Sequence, residues 1–201
     1  MARILFSSFQ TERLILRRLK DSDLRQYHAY LNDPQVARYQ TWETYSEEQA
    51  RAVIEEQQAL EPGLQGRAFL FALELKETGA LVGHVVFTVQ EKDYHQAEIG
   101  FTLAREFHRQ GLAREAASRV LDYAFTERKL HRVIAITDCE NLSSVALLGK
   151  LGMRREGHFI QNIWFKGKWG DEYLYAILRD EWLERIHRRD AEFAQRSAET
   201  A

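Results

Sequence analysis

The sequence predicts a mixed α/β fold in which helices flank one sheet. Two observations lead to this fold class. A pair of hairpin-like strands lies in the middle of the chain, and strand-like and helical stretches alternate after it. The chain has 201 residues, of which 45% are hydrophobic, so it can bury a substantial core. We therefore expect one domain over residues 1–201.

The first half predicts one strand, two helices and then three more strands. Leucines alternating with charged residues predict a strand at 13–19, and Asp21 is a candidate cap for a helix that stops at Pro34. The capping-box pattern at 46–49 opens a second helix, which should run to about residue 60. The remaining strand-like runs lie at 68–76, 80–90 and 97–104, and the first two read as a hairpin.

The second half predicts a regular alternation of helices and strands. A helix should begin at Gly111 and run to about Arg128, since its apolar residues recur at helical spacing. A buried strand is expected at 131–137, followed by a short helix that Gly152 terminates. Two further strands are predicted at 153–165 and 172–178, and a charged helical tail follows from Arg179.

Composition excludes several classes of protein. The formal net charge is −2, and the 28 basic residues are spread along the chain, which argues against a nucleic-acid-binding protein. The single cysteine, Cys139, cannot form an internal disulfide and fits a reduced, cytoplasmic setting. No apolar run has the length of a signal peptide or a membrane span. The seven histidines lack metal-ligand spacing, so no metal is expected.

The start of the helix at Gly111 has unusual chemistry. The stretch RQGLAR offers a glycine, small side chains and two arginines instead of a Ser, Thr, Asp or Asn cap. Its free backbone N–H groups, together with Arg109 and Arg114, suit a diphosphate. The alternative is an ordinary helix start whose arginines face water. Further along, Asn141 opens the helix NLSSVALLGKLG, either as a ligand for a backbone-like group or as a plain helix cap.

Four stretches of the chain, in this order, resemble the core of the GNAT superfamily of acetyl-CoA-dependent N-acetyltransferases: AEIGFTLA, RQGLAR, VIAIT and NLSS…LGKLGM. The flanking stretches TERLILRRLKDSDL and NIWFKGKWGDEYLYAILRDEW are similar to its RimJ/RimL-type branch. The resemblance covers about residues 11–184 and leaves 185–201 as a tail. It implies a mostly antiparallel sheet, splayed at the cofactor site and flanked by helices. The turn departs from the family pattern by His108 at its first position and Arg109 at the second.

The resemblance also implies an activity. The acetyl group of acetyl-CoA would pass directly to a primary amine, first of all the α-amine of a protein N-terminus, as in ribosomal-protein acetyltransferases. The alternative within the same class is a small amine such as a polyamine, an antibiotic or an amino-acid derivative. A third alternative is not an enzyme: a regulatory module that binds CoA without turnover. Acetyl-CoA and the amine are the expected partners, with no nucleic acid or membrane, in a monomer or a homodimer.

Site residues follow from the same resemblance. Glu98 is the candidate base, and Ser144 is the candidate donor to the departing sulfur, because Leu148 replaces the tyrosine common in the family. Residues that line an amine groove are expected at Trp42, Trp164 and Trp169. The expected cofactor-binding residues are Phe101, Thr102, Leu103, Arg109, Gln110, Gly111, Leu112, Ala113, Arg114, Asn141 and Ser144.

Each of these residues also has a plainer interpretation. Glu98 can be an exposed strand carboxylate, and Ser144 can cap the first turn of its helix. The tryptophans can serve ordinary packing. Cys139 is better read as a small buried residue than as a nucleophile that carries the acetyl group. The apolar stripe of Leu178, Trp182 and Ile186 can dock on the body of the protein or form a dimer contact.

Overall fold

The computed structural model describes residues 6–199, which form one eight-stranded sheet with helices on both faces. The strand order is β1-β2-β3-β4-β5-β6-β8-β7, and all neighbours are antiparallel except the parallel pair β5–β6. The strands are β1 Ser8–Gln10, β2 Leu14–Arg17, β3 Ala68–Leu75, β4 Leu81–Val89, β5 Gln96–Leu103, β6 Arg132–Asp138, β7 Arg154–Phe165 and β8 Lys168–Leu178.

Six α-helices accompany the sheet in the described residues. They are α1 Leu24–Leu31, α2 Pro34–Ala37, α3 Glu47–Ala59, α4 Leu112–Asp122, α5 Leu142–Leu151 and α6 Arg179–Glu199. The capping box predicted at the start of α3 is present, with Ser46 Oγ accepting the Gln49 N–H at 3.1 Å. Gly152 ends α5 in the left-handed conformation, as its position predicted.

The two faces of the sheet carry separate apolar clusters. The larger cluster lies between the sheet and α4 and α5, and Phe71, Phe87 and Leu121 are fully buried in it. The smaller cluster lies under α1 and α3 and includes Tyr30 and Ile54. Because side chains alternate along a strand, β3 and β4 contribute to both clusters, for example through Phe71 and Ala72 of β3.

The parallel pair β5–β6 holds together over only three residue pairs. Its register begins at Gln96 with Arg132 and ends at Glu98 with Ile134. Beyond that point β5 stays paired with β4 as far as Leu103, and β6 stays paired with β8 as far as Asp138. The outer partners therefore draw the two strands apart, and the splay predicted from the family resemblance is confirmed.

One predicted cap is wrong. Residues Asp21–Asp23 form a short 3-10 turn ahead of α1, and the Asp23 carboxylate accepts the Lys20 N–H at 2.8 Å. Asp23 is held there by Arg17, whose Nη1 lies 2.7 Å from Asp23 Oδ2, and both side chains are buried. The choice between two neighbouring aspartates therefore depends on an ion pair with the preceding strand.

Short or extended elements account for the other differences. The sequence did not predict β1 or α2, and α4 continues into a π-helical turn at Tyr123–Glu127. The strand β8 begins at Lys168 instead of residue 172, because Trp164 pairs with Trp169 across the hairpin.

The C-terminal helix packs on the body of the protein. Trp182 is buried, donates from Nε1 to Asp122 Oδ1 at 2.9 Å and lies against Phe125. Ile186 extends the contact with the same core. The last two residues of the predicted tail, 200 and 201, lie outside the described residues. Within the part that is described, no helix is long and apolar enough to cross a membrane.

Candidate active site

The gap between β5 and β6 opens into a cleft with a volume of about 360 Å³. Both splayed strands contribute to its walls, together with the start of α5, the segment 39–41 and the β7–β8 hairpin. Four of the predicted site residues meet there, namely Glu98, Phe101, Asn141 and Ser144. Residues on five separate elements therefore converge where the sheet separates.

Unpaired backbone groups of β5 face the gap. The bonds from Ala104 N to Val82 O and from Gln90 N to Gln96 O, both 2.9 Å, show that every second residue of β5 bonds to β4. Phe101 and Leu103 are the intervening residues, so their N–H groups point toward the gap that opens where β6 diverges from β5. Thr102 bonds to β4 and therefore offers no N–H to the cleft.

The facing edge of β6 is also open. The Arg132 N–H donates to His95 O, so Arg132, Ile134 and Ile136 direct their backbone groups toward β5. At Ile136 the partner strand has already moved away. An extended ligand with amide groups can therefore lie between the two strands and pair with both, as a third strand would.

The turn before α4 has the geometry of an anion site. Gly111 is in the left-handed conformation, with φ 80°, and no side chain caps the helix. The first helical bond runs from Glu115 N to Gly111 O at 3.1 Å, so the N–H groups of Leu112, Ala113 and Arg114 precede it. A Cβ built on Gly111 would meet only Arg13 Nη2, at 3.5 Å. The space over the turn is therefore open to a ligand.

A side chain from the other end of the sheet fixes this turn. Arg13 donates from Nη1 to Gln110 O at 2.9 Å and from Nε to Glu115 Oε2 at 2.7 Å. Thr11 Oγ1 donates to Glu115 as well, at 2.5 Å. Partial burial raises the pKa of Glu115, but the hydrogen bonds from Thr11 and Arg13 outweigh it and hold that pKa below its ordinary value. No local pattern pointed to Arg13, because the contact spans about a hundred residues.

His108, the residue that departs from the family pattern, has a structural partner. Its Nε2 lies 2.9 Å from Leu103 O and donates to it. The carbonyl of Leu103 would otherwise be left unpaired where β5 ends. His108 therefore ties the turn before α4 to the end of β5, and its ring is engaged there by the Leu103 carbonyl. Arg109 and Gln110 are exposed beside it.

The start of α5 separates the roles of Asn141 and Ser144. Asn141 Oδ1 accepts the Ser144 N–H at 3.2 Å, so Asn141 is the helix cap. The Ser144 side chain is only 8% exposed, lines the cleft and forms no hydrogen bond with a described residue. Leu148 lies one turn further along the same wall and is fully buried. The hydroxyl of Ser144 is therefore free to donate into the cleft.

The cleft is acidic. Glu98, Asp138 and Glu172 line it, and no lysine or arginine of the described chain does so. Glu98 is one of the exposed residues of β5, yet the cleft walls surround enough of its carboxyl group to raise the pKa above the ordinary value. The charge of Glu172 raises the pKa of Glu98 further. A positively charged amine would be attracted to this region.

Two faces of the sheet meet in the cleft. Glu98 shares its face of β5 with Thr102, whose Oγ1 lies 3.4 Å from Gln40 Nε2 on the side of α1. Ser144 lies on the opposite face, where α5 packs against α4. The carboxylate and the hydroxyl therefore approach the gap from opposite sides.

The three tryptophans lie outside the cleft lining. Trp42 donates from Nε1 to Leu31 O at 3.0 Å and packs edge-on against Tyr45, so the structure gives it a packing role. Trp164 and Trp169 pair at the tip of the β7–β8 hairpin, where they are 61% and 55% exposed. Only their neighbours Ile163 and Phe165 reach the cleft wall.

Sequence reasoning missed the loop that covers one side of the cleft. This loop contributes Tyr39, Gln40 and Thr41 to the cleft lining. Lys166 Nζ donates to Ala37 O at 2.6 Å and so joins the loop to the β7–β8 hairpin. Tyr39 OH also donates to Glu140 O at 3.2 Å. These residues follow α2 in an irregular segment without a recognisable motif, so only the folded arrangement reveals them.

Neither Cys139 nor a metal-ligating cluster of the described residues joins the cleft. Cys139 does not line the cleft, and partial burial raises the pKa of its thiol, which keeps the poorly nucleophilic protonated form at neutral pH. Among residues 6–199, no three His, Cys, Asp or Glu side chains are grouped to hold a metal ion.

Replacing Gly111 with alanine should weaken CoA binding about tenfold or more. The added Cβ would enter the space over the turn, whereas the cost of about 1–2 kcal/mol for a non-glycine residue in the left-handed conformation lowers the stability of the fold. Isothermal titration calorimetry with CoA measures the change.

Gly79→Ala is the matched control for this substitution. Gly79 has φ 71° in the β3–β4 hairpin, and an added Cβ there meets nothing within 4 Å. Both variants should lose a similar free energy of unfolding, whereas CoA affinity should fall only for Gly111→Ala. Equal affinity in wild type and both variants would contradict the assignment of the turn.

Comparison with known proteins agrees with this geometry. The model of the acetyltransferase (GNAT) domain matches residues 13–154. The chain is 36% identical over 172 residues to the uncharacterised N-acetyltransferase YnaD of Bacillus subtilis, which covers 86% of this chain and 97% of that protein. It is 28% identical over 119 residues to the ribosomal protein uS5-alanine N-acetyltransferase of Escherichia coli, covering 59% of this chain and 61% of that protein.

Solved structures show the same fold. A GNAT-family acetyltransferase from Bacillus anthracis superposes with a TM-score of 0.76 at 36% identity, covering 87% of this chain and 99% of the other. A spermidine N-acetyltransferase from Vibrio cholerae, in complex with CoA and spermine, gives 0.73 at 26% identity and covers 85% and 98% of the two chains. With a splayed sheet, an uncapped glycine turn and a family match over most of its length, this chain belongs to the GNAT family of N-acetyltransferases.

Proposed function

We propose that this N-acetyltransferase acts on the α-amine of a peptide or protein N-terminus. The observation that carries the proposal is the open acceptor side of the cleft. Thr41 and Glu98 are exposed at its edge, and the hairpin continues from Ile163 in the wall to the exposed Trp164 and Trp169 outside it. A polypeptide can place its amine in the cleft while the following residues lie along the hairpin.

The residues present fit acetyl-CoA. The turn at Gly111 offers free N–H groups and an open space to the diphosphate, and the unpaired edges at Phe101 and Ile136 offer partners to the amides of the pantetheine arm. When bound, acetyl-CoA supplies the thioester acetyl group and the thiol that leaves. The N–H group of Phe101 or of Leu103 would polarise the thioester carbonyl.

The cleft residues account for the proton that leaves the amine and for the thiolate that leaves the carbonyl carbon. The amine nitrogen forms a bond to the carbonyl carbon, the carbon–sulfur bond breaks, and the amine proton passes to Glu98, directly or through water. The raised pKa of Glu98 makes it a better proton acceptor than an ordinary carboxylate. Ser144 donates a hydrogen bond to the departing sulfur, in place of the absent tyrosine.

The acceptor's own basicity favours an α-amine. An unperturbed α-amine has a pKa of roughly 7.7–8.0, so about 10% or more is neutral at pH 7. A lysine-like amine near 10.4 is only about 0.04% neutral at that pH. A single carboxylate of raised pKa is therefore sufficient for the first and is a weak base for the second. The similarity to a ribosomal-protein acetyltransferase supports this choice of acceptor and a RimJ/RimL-type assignment.

A polyamine is the second candidate acceptor. Three carboxylates line the cleft, those of Glu98, Asp138 and Glu172. A single ammonium group needs only one of them, whereas a multiply charged cation can interact with all three. The likeness to a spermidine acetyltransferase supports this alternative.

A panel of acceptors tests the proposal. Thiol release from acetyl-CoA should be fastest, by kcat/KM, with Ala-, Ser- or Met-initiated peptides, slower with spermidine and with an aminoglycoside, and absent with the same peptides blocked at the α-amine. Turnover of spermidine without turnover of peptides would replace the first candidate by the second. CoA binding without thiol release for any amine would indicate a regulatory module.

Replacing Glu98 with glutamine should reduce kcat/KM more for spermidine than for a peptide α-amine. In wild type, activity should fall as the pH drops through the pKa of Glu98, which lies above the ordinary 4.5. The glutamine variant should lose the part of the acidic limb that Glu98 contributes to a plot of kcat/KM against pH.

Glu172→Gln is the control for the Glu98 experiment. Because the charge of Glu172 raises the pKa of Glu98, removing it should shift the acidic limb to lower pH without abolishing it. The same acceptor is used with all three proteins, so its own ionisation is common to them. Identical profiles for wild type and Glu98→Gln would exclude Glu98 as the base.

Replacing Ser144 with alanine should lower kcat about tenfold, the effect of losing roughly one hydrogen bond to a charged group. Thermal stability should stay unchanged, since the helix cap is Asn141 and the Ser144 N–H that it accepts is retained. The exposed neighbour Ser143 gives the matched control, Ser143→Ala, with unchanged kcat. An unaltered kcat in Ser144→Ala would show that the hydroxyl takes no part in sulfur departure.

A further inference from the structure

A second cavity, of about 290 Å³, lies between α4, α5 and the C-terminal helix α6. Four basic side chains line it: Arg114 from α4, Lys150 from α5, and Arg185 and Arg188 from α6. No acidic side chain of the described residues contributes to the lining. We refer to these four residues and the space between them as the basic pocket.

The charges in the basic pocket lack a carboxylate partner among the described residues. Other arginines of this chain pair with carboxylates, for example Arg13 with Glu115 at 2.7 Å and Arg67 with Glu56 at 2.6 Å. None of the four pocket residues forms an ion pair with a described residue. Since like charges repel at close range, this grouping favours an anionic ligand between them.

Arg185 is held in place by the backbone of α5. Its Nη2 donates to Lys150 O at 3.3 Å, at the C-terminus of the helix. A Cβ built on Gly152 would lie 2.5 Å from Arg185 Nη1, so only glycine lets the guanidinium group lie over this position. The same glycine that terminates α5 therefore makes room for a cation contributed by α6.

The basic pocket adjoins the turn before α4, where the diphosphate would lie. Arg114 belongs to both, because its N–H group precedes the first helical bond of α4 while its side chain lines the pocket. CoA carries, besides its diphosphate, a separate phosphomonoester on the ribose, and such a group bears about −1.5 to −2 charge at pH 7. Arg114 therefore links the pocket to the turn on which the diphosphate would lie.

We propose that the basic pocket binds the 3′-phosphate of CoA, and that Arg185 and Arg188 determine the selection of CoA over dephospho-CoA. This inference rests on the binding of the diphosphate at Gly111, as given under the proposed function. The two arginines lie outside the matched family domain, which ends at residue 154. The selectivity would thus be a property of the C-terminal helix of this chain.

Calorimetry with CoA and dephospho-CoA tests the inference on the full chain. Wild type should bind CoA about tenfold or more tightly than dephospho-CoA, the effect of one to two charge-assisted hydrogen bonds. The double variant Arg185→Gln/Arg188→Gln should bind CoA as weakly as dephospho-CoA, with its affinity for dephospho-CoA unchanged. Trp182 and Ile186, which anchor α6, are retained in it.

The control removes the same charge elsewhere. Arg25 and Lys92 are exposed and do not line the basic pocket, so Arg25→Gln/Lys92→Gln should keep the wild-type preference for CoA. Equal affinity of wild type for CoA and dephospho-CoA would overturn the inference, even if the double variant failed to fold. A second result would also overturn it. Inorganic phosphate would bind wild type and not the Arg185→Gln/Arg188→Gln variant, while CoA and dephospho-CoA bind wild type with equal affinity. Failure of both nucleotides to bind wild type would instead refute the proposed function.

Discussion

The site depends on the incomplete pairing of β5 with β6. These strands share only three register pairs, and each then follows a different partner, β4 on one side and β8 on the other. Strands that lose a ladder inside a sheet leave N–H and C=O groups unpaired, which is costly in a buried setting. Here those groups line a cleft of about 360 Å³ where a ligand can satisfy them. The candidate binding site therefore lies where the sheet is left incomplete.

Helix termini supply the rest of the chemistry around this gap. The uncapped start of α4 leaves N–H groups for an anion, whereas Asn141 caps the start of α5 and so releases the Ser144 hydroxyl. The two helices thus begin at the same edge of the sheet, but only α5 has a side chain that accepts one of its first N–H groups. Contacts with residues on either side of the turn, namely Arg13 with Gln110 and His108 with Leu103, fix the start of α4.

Local sequence patterns predicted what depends on neighbouring residues. The capping box at Ser46, the helix stop at Gly152 and the open turn at Gly111 are each encoded within a few positions, and each is present. The residues that the sequence did not reveal reach the site through the fold. Arg13 joins the turn from β2, and Glu172 enters the cleft because β8 pairs with β6. Their roles depend on strand order, which no short motif records.

Access from the two faces of the sheet has a kinetic consequence. Ser144 and the α4 turn lie on one face, while Glu98 and the loop at Gln40 lie on the other. A nucleotide thioester bound from one face and an amine bound from the other would not compete for the same volume, so both could occupy the enzyme together before any bond is made. Steady-state rates would then follow a sequential, ternary-complex law, and a compound that covalently joins the two reactants would have to pass between the strands themselves.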